Sequence, residues 1–201
     1  MNALNSREWI RRGGLLSIAA AVLFAIYLLV TLSGRPASGD GINGDGLILG
    51  LCRVGFIAGL FAFLLLGARG RLSRIGFGIA LVGAGLHLIA ALSGVAADGW
   101  TYEAFAEEVD TPWYAFLNGA GHGISLLGTL LMGLAALGER VLPPWKAVVP
   151  ILIGLSFFIL ASVIGFIMAF LIWSLLWVVL GLAIITEQPR GVQQTEATVP
   201  H

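Results

Sequence analysis

The sequence predicts an all-α, polytopic membrane helix bundle with six transmembrane helices and both termini in the cytoplasm. Hydrophobic residues fill 58% of the 201 positions and charged residues only 11%, against about 25% charged in a soluble domain. The apolar residues gather in blocks close to the ~20 residues that a helix needs to cross the hydrocarbon core. The basic residues, in turn, fall on alternate connections between those blocks, the asymmetry that fixes orientation in a membrane.

The first block runs from Gly14 to about Thr31. Arg7, Arg11 and Arg12 precede it, as in a secretory signal, but it exceeds the roughly 7 to 15 apolar residues of a signal and no A-x-A site closes it. It is therefore read as a span. The second runs from Gly46 to Gly67, the third from Ile75 to Ala96, and the fourth from Trp113 to Leu137. Thr111 followed by Pro112 reads as an N-cap with proline at the first helical position, which starts the fourth. The last block, Ala147 to Ile185, carries no formal charge over 39 residues. As a single helix it would be about 58 Å long at 1.5 Å per residue, nearly twice the hydrocarbon thickness. It is split into two short spans with a turn near Ser162 to Gly165, where backbone groups can be satisfied at the interface. Residues 1–187 form one transmembrane domain. The polar segment 188–201, with Pro189 and Pro200 near its ends, reads as a disordered cytoplasmic tail.

Arg7, Arg11, Arg12, Arg69, Arg71, Arg74, Arg140, Lys146 and Arg190, nine of the eleven basic residues, fall on one side of this layout. The other side holds Asp40, Asp45, Asp98, Glu103, Glu107, Glu108 and Asp110, with Arg35 its only cation. The positive-inside rule assigns the first side to the cytoplasm. Five spans would strand the tail outside, so the charge pattern supports the split independently. Trp100, Tyr102, Trp113, Tyr114 and Trp145 are placed as interface anchors. Sliding residues 46–96 onto 115–165 aligns several glycines, Arg71 with Arg140 and Ser93 with Ser162; in so glycine- and leucine-rich a chain, composition accounts for most of these matches.

Composition also excludes several functions. A formal net charge of zero and the lack of a basic stripe interleaved with aromatics give no nucleic-acid partner. Cys52 is the only cysteine, so an intrachain disulfide and a thiolate metal cluster are excluded. No H-E-x-x-H, G-x-S-x-G or P-loop occurs, and no span holds a pair of aspartates, which argues against an intramembrane hydrolase and against nucleotide-driven transport by this chain alone. The acidic run 98–110 lacks the D-x-D-x-D-G pattern of a calcium loop.

Polar residues inside the spans carry the remaining information. The chain has 28 glycines, and Gly55/Gly59 and Gly119/Gly123 have the G-x-x-x-G spacing that lets helices approach closely. Gly76, Ala80, Gly83, Ala84, His87, Ala90, Ala91 and Gly94 share one face of the third span, so His87 is expected in a packing seam. On the fourth, Asn118, His122, Ser125 and Thr129 fall within a stripe roughly 60° wide, which must face the interior. Arg53 on the second is an intramembrane charge costing about 2.5 kcal/mol or more, and such residues have a partner, a watery cavity or a function. Arg53, His87 and His122 all lie roughly 10 to 14 Å below the outer surface at 1.5 Å per residue. Tyr27, Trp173 and Trp177 fall near the same depth.

That coincidence suggests an outward-opening polar chamber. A binding or transport-type module is expected, in which Arg53 holds an anionic or amphipathic ligand and His87, His122, Asn118, Tyr27, Trp173 and Trp177 contact the rest. A second possibility is a redox protein with a b-type haem ligated by His87 and His122. A third is an accessory or structural membrane subunit whose polar residues knit the bundle together, alone or with other membrane subunits. Each member also has a plain alternative: hydrogen-bonded packing for the histidines, lipid-facing bulk for the tryptophans, and snorkelling toward Asp45 or lipid phosphate for Arg53. With its short spans and its R-x-R and E-R-V-L-P-P-W turns, the chain resembles small uncharacterised bacterial multi-pass membrane proteins. The resemblance covers layout only; it implies the bacterial cytoplasmic membrane and carries no activity.

Overall fold

The computed structural model describes residues 3–32, 44–66, 70–96, 112–140, 142–164 and 166–187. Among them the chain is entirely helical. The helices are α1 (Ala3–Leu32), α2 (Gly44–Leu65), α3 (Arg71–Ala96), α4 (Pro112–Gly138), α5 (Pro144–Ile164) and α6 (Phe166–Thr186). Five of them are long and apolar enough to cross a membrane, and α5 contributes a shorter apolar stretch, Pro144–Ser156.

The helix ends follow from local sequence. Proline at the first position of α4 and of α5 costs no hydrogen bond, since that N–H has no partner within a helix. The carbonyl of Pro143 accepts from the N–H groups of Lys146 and Ala147 at 2.9 and 3.1 Å and closes the first turn of α5. Arg140, with φ of 49°, takes the left-handed conformation that ends α4. The 39-residue block does divide: α5 stops at Ile164 and α6 starts at Phe166, within the expected turn. Pro150 lies inside α5 and is buried, and a helix can absorb that lost bond where neighbours repack around it. Helix α1 begins well before Gly14, where Arg12 pairs with Glu8 one turn earlier at 2.5 Å; its early residue Ile10 is buried in the core. Thr111, the acidic run 98–110, Asp40, Arg35, Arg69, Trp100, Tyr102 and the tail 188–201 lie outside the described residues.

The helices form a ring. Each packs on the next in sequence, α6 returns to pack on α1, and α2 meets α6 across the middle. Small residues make the seams. A Cβ on Gly83 would strike the backbone of Ser125 and the carbonyl oxygen of Gly121 at 2.6 Å, and one on Gly121 would meet the His87 nitrogen at 2.9 Å. Gly76 and Gly128 repeat the contact two turns away, so α3 and α4 touch backbone to backbone. Gly55 and Gly59 seat α2 against Leu16, Ser17 and Ala20 of α1, and Gly14 and Gly181 join α1 to α6. The G-x-x-x-G pair Gly119/Gly123 does not behave as expected: among the described residues nothing lies within 4 Å of either Cβ direction. The seam of α4 is instead Gly121 and Gly128, which the partner helix selects.

On α3, side chains are sorted by size rather than by polarity. On α3 the buried face is Gly76, Ala80, Gly83, Ala84, His87, Ala90 and Ala91, whereas Leu72, Ile75, Leu81, Val82, Ile89 and Leu92 are exposed. Large apolar side chains facing out and small ones facing in on this helix is the arrangement expected when the surroundings are hydrocarbon.

Candidate functional site

Four helices bring one polar cluster together. Arg53 is nine residues into α2, His87 nine before the end of α3, His122 ten into α4 and Trp173 seven into α6. Because the helices alternate in direction, these positions lie at one level, about 10 to 15 Å from the same end of the ring at 1.5 Å per residue. Arg53, His87, His122, Trp173 and Trp177 are all buried.

Arg53 Nη2 lies 3.4 Å from His87 Nε2. A guanidinium only donates, so Nε2 accepts and the neutral ring carries its proton on Nδ1. The guanidinium carbon stands 5.7 Å from the centre of the Trp173 ring, within the range of a cation–π contact. His87 and His122 face each other edge to face at 5.4 Å, and His122 lies 5.7 Å from both Trp173 and Phe170. Trp173 is the hub. Phe56 packs on it at 5.0 Å and Phe24 at 5.7 Å, and Trp177 follows one turn later at 5.8 Å, itself tilted against Phe56 at 4.6 Å.

The remaining interior hydroxyls satisfy themselves. Thr129 donates to the Ser125 carbonyl at 2.9 Å and Ser174 to the Phe170 carbonyl at 2.8 Å, one turn back in each case. Ser17 reaches the Trp177 carbonyl at 3.4 Å. In contrast, His87 Nδ1, Trp173 Nε1 and Trp177 Nε1 are buried without a hydrogen-bond partner among the described residues. Each of these three is a donor, and a buried donor left unpaired costs about 1–3 kcal/mol.

The sequence-derived residues are thus sorted by position. Arg53, His87, His122, Trp173 and Trp177 converge. Tyr27 is half-buried at the margin, 6.5 Å from Phe24. Asn118 heads the α4 stripe next to His87 but is itself exposed. Phe24, Phe56 and Phe170, unassigned from sequence, complete the aromatic wall. Each stands three residues from a site residue on its own helix, beside Tyr27, Arg53 and Trp173 respectively. A phenylalanine in an apolar helix marks neither face, so only the polar neighbour one turn away could have flagged it.

The haem alternative does not fit. Two axial imidazoles must stand on opposite faces of a macrocycle, which needs a slot between their helices. Here α3 and α4 are in backbone contact at Gly121, next to His122 and against the backbone nitrogen of His87, and His87 Nε2 is engaged by Arg53. Among the described residues no group of three or more His, Cys, Asp or Glu could hold a metal ion.

A second polar cluster occupies the opposite end of the ring. The Glu139 carboxylate accepts from the Gly70 N–H at 3.2 Å and from the Ser73 hydroxyl at 3.4 Å, tying the end of α4 to the start of α3. Lys146, buried on the first turn of α5, donates to Thr186 at 2.9 Å and pairs with Glu187 at 2.6 Å. Its ammonium also lies 5.2 Å from the ring of exposed Trp145. No protein-family model matches the chain, and no curated protein or solved structure matches it either.

Proposed function

We propose that the chain is a six-span protein of a bacterial cytoplasmic membrane, with both termini inside, and that it is a binding or transport-type module holding an anionic or amphipathic ligand in its interior. The observation that carries this reading is the buried guanidinium of Arg53 at the level where His87, His122 and Trp173 converge, against the His87 imidazole and the Trp173 ring. A charged side chain buried within a membrane span is costly to insert, and its retention points to use. The apolar belt, the nine-to-one distribution of basic residues over the two sides and the ring closure support the six-span layout.

The test is what travels with the protein. Extracted wild-type protein should carry a small molecule detectable by mass spectrometry, and Arg53→Gln should lose it while inserting at least as well, because a transfer cost has been removed. If both samples carry the same molecules and differ only in stability, Arg53 knits the bundle and the accessory-subunit reading replaces this one.

A further inference from the structure

At the start of α3, away from the Arg53 cluster, an open recess of about 480 Å³ is lined among the described residues by Arg71, Arg74 and Ile75. All three side chains are exposed. The turn that carries them is fixed from its other face, where Ser73 is buried and donates to Glu139, which also accepts from the Gly70 N–H. The described lining of the recess thus holds two guanidiniums, one apolar side chain and no carboxylate. Such a surface matches a phosphodiester and offers nothing to the ammonium of a zwitterionic head group.

From the recess toward the middle of α3, the outer face of the helix continues as a channel. At 100° per residue Arg74, Gly78 and Gly85 share a strip about 40° wide, with Ile75 and Val82 on one flank and Leu81 on the other. The flanking side chains are 44 to 59% exposed. Among the described residues a Cβ on Gly78 or Gly85 would meet nothing within 4 Å, so the two glycines leave a shallow floor between larger neighbours. Ile75 to Gly85 covers about 15 Å at 1.5 Å per residue. That is half of a hydrocarbon core ~30 Å thick, the depth of one leaflet.

From the recess and the channel together we infer that α3 carries a site for one anionic phospholipid. The phosphodiester sits at Arg71 and Arg74 at the membrane surface, and an acyl chain lies along Gly78 and Gly85. Charge selects the head group, since each basic residue near the surface attracts anionic lipid, and the channel gives the chain a fixed place. The inference rests on the membrane layout proposed above and is independent of any ligand at Arg53.

Native mass spectrometry of the full chain in detergent, titrated with phosphatidylglycerol or phosphatidylethanolamine of identical acyl chains, tests it. The first phosphatidylglycerol should bind about tenfold tighter or more, each arginine being worth roughly fivefold. Arg71→Gln and Arg74→Gln should each cost about fivefold of that preference. Arg11→Gln, an exposed arginine at the same end of the ring on α1, should change nothing. The double variant Gly78→Leu with Gly85→Leu fills the channel, leaves every charge in place and should lower phosphatidylglycerol occupancy. Equal binding of the two lipids by the wild type would overturn the site. So would an equal loss in Arg11→Gln, which would mean diffuse charge, or full occupancy in the leucine variant. Glycerol 1-phosphate displacing the lipid as well as dihexanoyl phosphatidylglycerol does would mean a phosphate drawn from water, and would overturn it too. A fluorophore on Val82→Cys in a Cys52→Ala background separates the site from the layout. Quenching by brominated phosphatidylcholine without any head-group preference would remove the site and leave the layout standing; no quenching would remove both.

Discussion

Arg53 and His87 make an unequal pair, and the inequality is testable. Removing the guanidinium leaves a neutral imidazole, which tolerates burial; removing the imidazole leaves a buried cation with one acceptor fewer. Breaking a buried charged pair from the neutral side is the costlier direction, about 3 kcal/mol against roughly 1 kcal/mol for losing an ordinary hydrogen bond. His87→Ala should therefore destabilise the bundle more than Arg53→Met, and Arg53→Met added to His87→Ala should restore stability rather than lower it further. Unfolding of the four proteins in a common detergent mixture measures the cycle; strict additivity would mean that the two side chains do not interact. The sequence disclosed this pair only through depth, since an arginine and a histidine that share a level on helices of opposite direction need not share a side. It disclosed Trp173 and Trp177 less well. An indole serves equally as lipid-facing bulk and as core, and only the closing contact of α6 with α1 decides between them.

At the level of the helices, the glycine seam shows why spacing alone misleads. On α4, Gly121 and Gly128 lie roughly 100 to 120° round from His122 in one direction, and Gly119 and Gly123 roughly 60 to 100° in the other. Both sets flank the polar stripe, and both are rich in glycine. Their difference lies on α3, where Gly83 and Gly76 meet only the first set. The G-x-x-x-G pattern says that a close approach is possible on a face, not that a partner is there. By contrast, the face of α3 was legible, because an unbroken run of small residues has no other seam to choose. Gly83→Ala and Gly121→Ala should each force α3 and α4 apart and cost about 1–3 kcal/mol, the usual penalty of overpacking. Gly119→Ala and Gly123→Ala, which meet nothing within 4 Å among the described residues, should be neutral or raise stability by up to ~1 kcal/mol through helix propensity. Thermal unfolding of the four variants separates the two faces, and equal losses at Gly119 and Gly121 would contradict the seam. The break between α5 and α6 was legible for a different reason: length and charge parity, neither of which depends on side-chain orientation.

Across the whole molecule, polar groups are concentrated at two levels. One holds the Arg53 cluster; the other, at the far end, holds Glu139 against the start of α3 and Lys146 against the end of α6. The proposed orientation makes this second level cytoplasmic, and chemical labelling checks it. On a Cys52→Ala background, cysteines at Asn43 and Ala106 should react with an impermeant thiol reagent added to intact cells, and cysteines at Gly70 and Thr195 should not; labelling of Thr195→Cys from outside would refute an even number of spans. The ring has one more property of consequence. Every major seam joins helices that follow one another in sequence, apart from α6 against α1 and its brief contact with α2. Such a chain can be assembled in the order in which it is synthesised, each helix docking on the one before it, with little wandering between distant segments. Trp173, which stands over Arg53, is on the last of the six helices. Until α6 docks, the guanidinium is in place and the indole that stands over it is not, so the arrival of α6 is what completes the cation–π contact.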